Sequence, residues 1–127
     1  AQGGDARCCG DVSLLPQAKV VADAPALSDG YVHHMDTVAL GNAAQAMGAG
    51  RKVKTDVIDH SVGFVLHKRI GDAVRAGEPL GTVHAKDEAS AQAAIAALQR
   101  DVVITGEQVP PCKLIHAFVD SERVERL

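Results

Sequence analysis

Six histidines, three cysteines and a closely spaced pair of aspartates are the side chains with the most chemistry to offer here. Their spacing limits what they can do together. His33 and His34 are adjacent on a predicted strand, so they point to opposite faces and do not converge on one ion. His60, His67, His84 and His116 fall on different predicted elements, with no H-x-x-x-H or H-x-H spacing. A tetrahedral zinc site needs ligands that converge, and no metal is expected. Asp56 and Asp59 are close enough to suggest paired carboxylates for acid–base work, but a loop setting favours capping of backbone N–H groups instead. Cys8, Cys9 and Cys112 lack C-x-x-C spacing, and neighbouring Cys8 and Cys9 bridge each other only under strain. They read as reduced thiols, which fits a cytoplasmic protein.

The run "GAGRKVK" (Gly48–Lys54) puts cations beside glycines, the composition of a phosphate cradle. Its polarity is wrong for that role. Phosphate loops precede a helix and use its positive end, whereas this run follows a predicted helix, where the partial charge is negative. No G-x-S-x-G, Walker or G-x-G-x-x-G run occurs. Nothing in the sequence assembles a nucleophile, a base and an oxyanion site, so no catalytic residue and no cofactor site are expected.

The elements that position these residues are legible from periodicity and caps. Strands are predicted at Ala18–Asp23 and Tyr31–Met35, joined by the turn-forming "APALSDG", and the pair is expected to form a hairpin. Leu40, Ala43, Ala44 and Met47 recur at helical spacing behind a cap at Asp36 or Thr37, with Gly48 placed to end the helix. Arg51–Ser61 has no period and reads as a loop. Asp87 caps a second helix whose buried stripe is Ala91, Ala94, Ile95 and Leu98. Val102–Thr105 and Lys113–Val119 read as strands, and "DSERVERL" as a charged tail. Residues 1–17 read as a linker or tail without a core, and 18–127 as the folded domain. The expected class is α+β, with two helices on a mainly antiparallel sheet.

Composition agrees with one domain. At 127 residues the chain can bury roughly two-thirds of its unfolded surface. Its hydrophobic share of 46% comes with no Trp, one Tyr and two Phe, so the core must be built from Ala, Val and Leu in close backbone approach. The net charge of −3 offers no attraction for a polyanion, so no nucleic-acid partner is expected. No apolar run is long enough to span a bilayer, so no membrane partner is expected either. The chain opens on Ala1 without an initiator methionine, and we expect a longer parent polypeptide.

The stretch "VGFVLHKRIGDAVRAGEPLGTVHA" (Val62–Ala85) reads as strand, wide turn, strand, with Gly71 and Gly77 at tight turns. Gly71, Asp72, Val74, Gly77 and Leu80 fit the G-D-x-V-x-x-G-x-x-L run of lipoyl- and biotinyl-type carrier domains. The carrier lysine belongs seven residues after that leucine. Asp87 stands there, and Lys86 is one residue early, which on a strand is the wrong face. The hairpin resembles a barrel-sandwich scaffold without its cargo.

Taken together, "DGYVHHMDT" (Asp29–Thr37), "ALGNAAQAMGAGR" (Ala39–Arg51) and "DVIDHSVGFVLHKRIGDAVRAGEPLGTVHA" (Asp56–Ala85), with "AQGGD" at the start, resemble the C-terminal domain of the thymidine and pyrimidine-nucleoside phosphorylases. The resemblance implies an α/β-hammerhead with barrel-sandwich hairpins. It implies a homodimeric parent enzyme, a pentosyltransferase, that cleaves pyrimidine nucleosides with phosphate to free base and pentose 1-phosphate. The family's phosphate signature and its base- and sugar-contacting residues lie in a more N-terminal part. The implied partner is therefore that missing part, and the 127-residue chain alone is expected to be inactive. The loop holding Arg51, Lys52, Lys54, Asp56 and Asp59 is the candidate for a closure latch near the cleft. Two rival readings remain at this point, a lipoyl/biotinyl-like carrier and a free-standing interaction domain.

Overall fold

The computed structural model describes residues 3–126. Two short 3-10 turns, Ala6–Cys9 and Val12–Leu14, come first, capped by the Asp5 and Asp11 carboxylates, and neither buries a residue. There follow β1 (Val20–Pro25), β2 (Gly30–Met35), α1 (Thr37–Ala44), β3 (Gly63–Leu66), β4 (Ala73–Val74) and β5 (Pro79–Ala85). Then come α2 (Glu88–Asp101), β6 (Val102–Thr105), β7 (Ala117–Val119) and β8 (Val124–Arg126). The fold is α+β, and every strand pairing among the described residues is antiparallel.

The strands sort into sheets of order β1-β5-β3 and β4-β2-β6, plus the separate pair β7-β8. Neither larger sheet closes into a barrel. From β1 to β6 successive strands alternate between the two larger sheets. β3 and β5 pair as the sequence suggests, from Gly63 opposite His84 to Leu66 opposite Gly81. The wide turn between them carries β4, which leaves to pair with β2.

This alternation overturns the expected β1–β2 hairpin. β1 pairs with β5 instead, Val20 opposite Ala85 through Ala24 opposite Gly81. The reason lies at the end of β1 and in the four residues after it. Ala26 N–H donates to the Glu78 carbonyl at 2.8 Å, and Gly77 N–H donates back to the Ala26 carbonyl at 2.9 Å. Ala76 N–H donates to the Asp29 carboxylate at 2.7 Å. The turn chemistry of Pro25–Asp29 therefore fixes the chain to the Gly77 turn and carries it across to the second sheet, where a hairpin would have folded it back.

The helices form where the caps place them. Asp36 Oδ1 accepts from Ala39 N–H at 2.9 Å and opens α1. Asp87 Oδ1 accepts from Ser90 N–H at 2.8 Å and from Ser90 Oγ at 2.6 Å and opens α2. α2 buries Ala91, Ala94, Ala97 and Leu98 and packs on β1, β5 and α1. Alanines on that face let the helix approach the sheet closely. The core is completed by Ala24, Val32, Val74, Leu80, Val83, Ala85 and Val102, with Leu40 and Met47 from the first helical segment. Burying one leucine such as Leu98 contributes roughly 1.5–3 kcal/mol.

The last third differs from expectation. Of Lys113–Val119, only Ala117–Val119 is strand, and its partner β8 lies inside the predicted charged tail. Pro110 and Pro111 lack donors for a ladder, and Lys113–His116 meets no partner strand. Asp120 closes the small hairpin by accepting from Glu122 and Arg123 N–H at 2.8 and 2.9 Å.

Candidate functional site

The loop Arg51–Ser61 leaves α1 through a wider, π-type turn at Gln45–Ala49. Gly48 breaks that turn with φ of +116°. Its carbonyl accepts from Asp59 N–H at 2.9 Å, so the two ends of the loop are tied together. Gln45 Nε2 donates to the Arg51 carbonyl at 2.6 Å. The conformation at Gly48 is one an L-residue adopts at a cost. The space is open, since a Cβ there would sit 3.6 Å from Asp59 Cβ. Gly48→Val should therefore lower stability by about 1–2 kcal/mol through backbone strain alone. Urea unfolding checks this, and a variant as stable as the parent sequence would remove the claim.

Both loop carboxylates are spent on the loop itself. Asp56 Oδ2 accepts from Lys52 N–H at 2.9 Å and Val53 N–H at 3.1 Å. Asp59 Oδ1 accepts from Ser61 Oγ at 2.6 Å and Ser61 N–H at 2.9 Å. Hydrogen bonds from Val53 and Lys52 hold the Asp56 carboxyl below its ordinary range, and those from Ser61 do the same for Asp59. Both are ionised caps at neutral pH, and neither is poised as a general acid.

The loop cations point the other way. Arg51, Lys52 and Lys54 are exposed, and none has a carboxylate within ion-pair distance among the described residues. Val57 beside them is 91% exposed. An open depression of about 270 Å³ lies between Gln45, Gly48, Gly50, Lys52, Asp56 and Val57. The arrangement presents positive charge and apolar surface on a preformed loop. It offers contact to a neighbouring surface and supplies no nucleophile.

Gly71 and Gly77 have φ of +94° and +83° and serve different ends. Gly71 N–H donates to the Val32 carbonyl at 2.8 Å. A Cβ on Gly71 would lie 3.0 Å from the Val109 carbonyl oxygen and 3.1 Å from Pro111, so the C-terminal segment presses directly on that turn. Gly77 has open space around it and is needed for its backbone angle only.

Three features escape a reading of the sequence. Lys68 Nζ reaches Glu78 Oε1 at 2.6 Å and clamps the β3–β5 connection. Opposite charges flanking two glycines were the only hint of it. Thr82 Oγ1 donates to Asp23 Oδ1 at 2.7 Å and also contacts His67 Nε2 at 2.8 Å. Because the Thr82 proton goes to Asp23, Nε2 of His67 carries the donor hydrogen. Such a chain needs β1, β5 and the residue after β3 brought side by side, which no local pattern announces. Gly30 and Gly81 are the third feature, at points of close backbone approach.

The remaining reactive side chains do not converge. Among the described residues, no group of three or more His, Cys, Asp or Glu is placed to hold a metal ion. Cys8, Cys9 and Cys112 are free. Lys86 follows the last residue of β5 and precedes the α2 cap, so it stands at a strand-to-helix junction. A carrier lysine needs the tip of a tight hairpin, and this geometry does not supply it. No helix among the described residues is long and apolar enough to cross a membrane.

Comparison with known proteins bears on the same residues. The family described as pyrimidine nucleoside phosphorylase C-terminal domain matches residues 31–105, from β2 to the end of β6. A pyrimidine-nucleoside phosphorylase of Geobacillus stearothermophilus is 49% identical over 88 residues, covering 69% of this chain and 20% of the relative. One from Bacillus subtilis (strain 168) is 42% identical over 118 residues, covering 93% of this chain and 27% of the relative. A thymidine phosphorylase of Burkholderia cenocepacia (strain HI2424) is 46% identical over 98 residues, covering 76% of this chain and 22% of the relative. The chain thus spans about a fifth to a quarter of the length of these curated relatives. With more than half of its residues matched, from β2 through both helices to β6, this chain belongs to the pyrimidine nucleoside phosphorylase C-terminal domain family.

Proposed function

We propose that this chain is the C-terminal scaffold of a longer pyrimidine-nucleoside phosphorylase, working as a homodimer in the cytoplasm. The parent forms a bond from a phosphate oxygen to the anomeric carbon of the pentose as the bond to the pyrimidine nitrogen breaks. Free base and pentose 1-phosphate result. The observation that carries the reading is the family match over residues 31–105, joined to relatives whose names state that activity. Free thiols at Cys8, Cys9 and Cys112 favour a reducing compartment.

In this reading the chain contributes shape and no reacting group. Phosphorolysis needs a cation-lined phosphate site and donors for the departing base. The exposed cations Arg51, Lys52 and Lys54 stand on a loop whose own carboxylates are already engaged. They suit a latch that meets another part of the enzyme as the cleft closes, acting through water exclusion and alignment. Residues 1–17 then serve as the connection to the preceding chain, and residues 18–127 as the domain.

Two measurements test this. The isolated chain, incubated with thymidine or uridine and phosphate, should release no base above background. Turnover that tracks the purified chain through fractionation would defeat the scaffold reading. In the full-length parent, Arg51→Ala with Lys52→Ala should lower turnover roughly tenfold while the melting temperature stays nearly constant. Unchanged kinetics in that double variant would return the loop to a plain connection.

A further inference from the structure

The C-terminal arm has an unusual exposure pattern. From Pro110 to Arg126 every residue is exposed. Five of them are large and apolar: Leu114 at 77%, Ile115 at 63%, Phe118 at 54%, Val119 at 66% and Val124 at 65%. A two-stranded hairpin with three residues per strand is not stable by itself in water. Part of the arm's charge is met within it, since Arg123 lies 3.8 Å from Asp120 and 3.5 Å from Glu125. Its apolar surface has no cover.

The root of the arm is fixed. Val109 and Pro111 pack against the Gly71 turn, where a Cβ would already be too close. Between that root and the sheets runs a mainly apolar groove of about 470 Å³, with Met35, Leu66, Ile70, Pro111 and Leu114 among its lining residues. Lys68 at its rim is tied to Glu78, while Arg69 is exposed with no carboxylate in ion-pair range among the described residues. Groove and arm are continuous through Leu114.

We propose that this groove and arm form one docking surface, and that its occupant is an apolar segment of the remaining phosphorylase polypeptide, with an acidic residue facing Arg69. The proposal rests on the functional reading above and names the surface by which the rest of the enzyme is held. Length argues for this occupant. The relatives carry about three to four times as much chain outside the matched region as within it, so an apolar surface of this kind has a covalently linked partner at high effective concentration. A polypeptide segment also fits the mix of apolar floor and exposed cation at the groove's rim.

The test uses this chain and the part of the Bacillus subtilis relative that lies outside its 118-residue match, produced separately. Binding is measured by calorimetry, and base release is measured on the same mixtures. The unaltered chain should bind. Leu114→Asp with Phe118→Asp should weaken binding at least about thirtyfold. Both positions are exposed, so the melting temperature should hold. Val21→Asp, on an exposed face away from the groove, should bind as the unaltered chain does. Equal affinity for the double variant, no binding by the unaltered chain, or self-association of the chain through the arm in place of binding would each overturn the proposal. Arm-dependent binding without base release would leave the docking surface standing and count against the phosphorylase reading. Base release that ignores the arm variants would do the reverse.

Discussion

Gly30→Ala is expected to cost about 3 kcal/mol or more, a large part of the stability of a domain this size. Gly30 opens β2 opposite Val74, with φ of +152°. A Cβ there would lie 2.4 Å from the Thr105 carbonyl oxygen and 2.9 Å from Ile104 Cγ2. The oxygen belongs to the backbone of β6, which pairs with β2 through Tyr31 and Thr105. No side-chain rotation relieves such an overlap. The neighbouring strand must withdraw, and the pairing that starts the second sheet is lost with it. Thermal unfolding should show a fall of roughly 10 °C or more. Gly41 supplies the internal comparison, because it sits exposed in α1 with nothing within 4 Å of an added Cβ. Gly41→Ala should stabilise by about 0.5–1 kcal/mol. A Gly30→Ala protein within about 1 kcal/mol of the original would show that the two strands can part freely.

Leu98→Ala should cost about 3–5 kcal/mol, toward the upper part of the range for buried leucines. Leu98 is fully buried on α2, the helix that packs on β1, β5 and α1. It belongs to a core made mostly of alanines and valines, among them Ala24, Val83, Ala91, Ala94 and Val102. Short, stiff side chains have little freedom to swing into a vacated space, so the cavity should persist. Urea denaturation read by far-ultraviolet circular dichroism measures the difference. A loss under about 1.5 kcal/mol would mean that α2 settles onto the sheet and fills the gap.

The helices were legible because their signals are local. Asp36 and Asp87 mark the starts, and the apolar spacing after each fixes the buried face. The pairing of β1 was not legible, because Pro25–Asp29 carries the same turn chemistry whether the chain folds back or crosses over. Only contacts with Gly77, Glu78 and Ala76, far along the sequence, decide between the two. Gly30 and Gly81 were missed for a related reason. Gly81 is needed because a Cβ would come 2.7 Å from the Val65 carbonyl oxygen, a neighbour that exists only once the sheet has formed. Among the loop residues, the positions of Arg51, Lys52 and Lys54 outside a turn of ordinary composition could be anticipated. The engagement of Asp56 and Asp59 with particular N–H groups could not.

The alternation of strands between the two larger sheets has a consequence for how the chain comes off the ribosome. β1 waits for β5, since Val20 pairs with Ala85, and β2 waits for β6, since Tyr31 pairs with Thr105. Neither sheet can gain its long-range pairing from the first half of the sequence. Loop closure of that length must precede any contact that rewards it, so folding should be slow for a domain of this size. During synthesis β1 and β2 emerge as open strands with apolar faces and free edges. β1 is a candidate for chaperone capture until β5 has cleared the exit tunnel, and β2 until β6 has. The interleaving also means that no cut between β2 and β5 leaves an intact sheet on either side. The domain should therefore resist being split within that span, and pulse-labelled nascent chains should show β1 and β3 protected only after Ala85 has emerged and β2 fully protected only after Thr105.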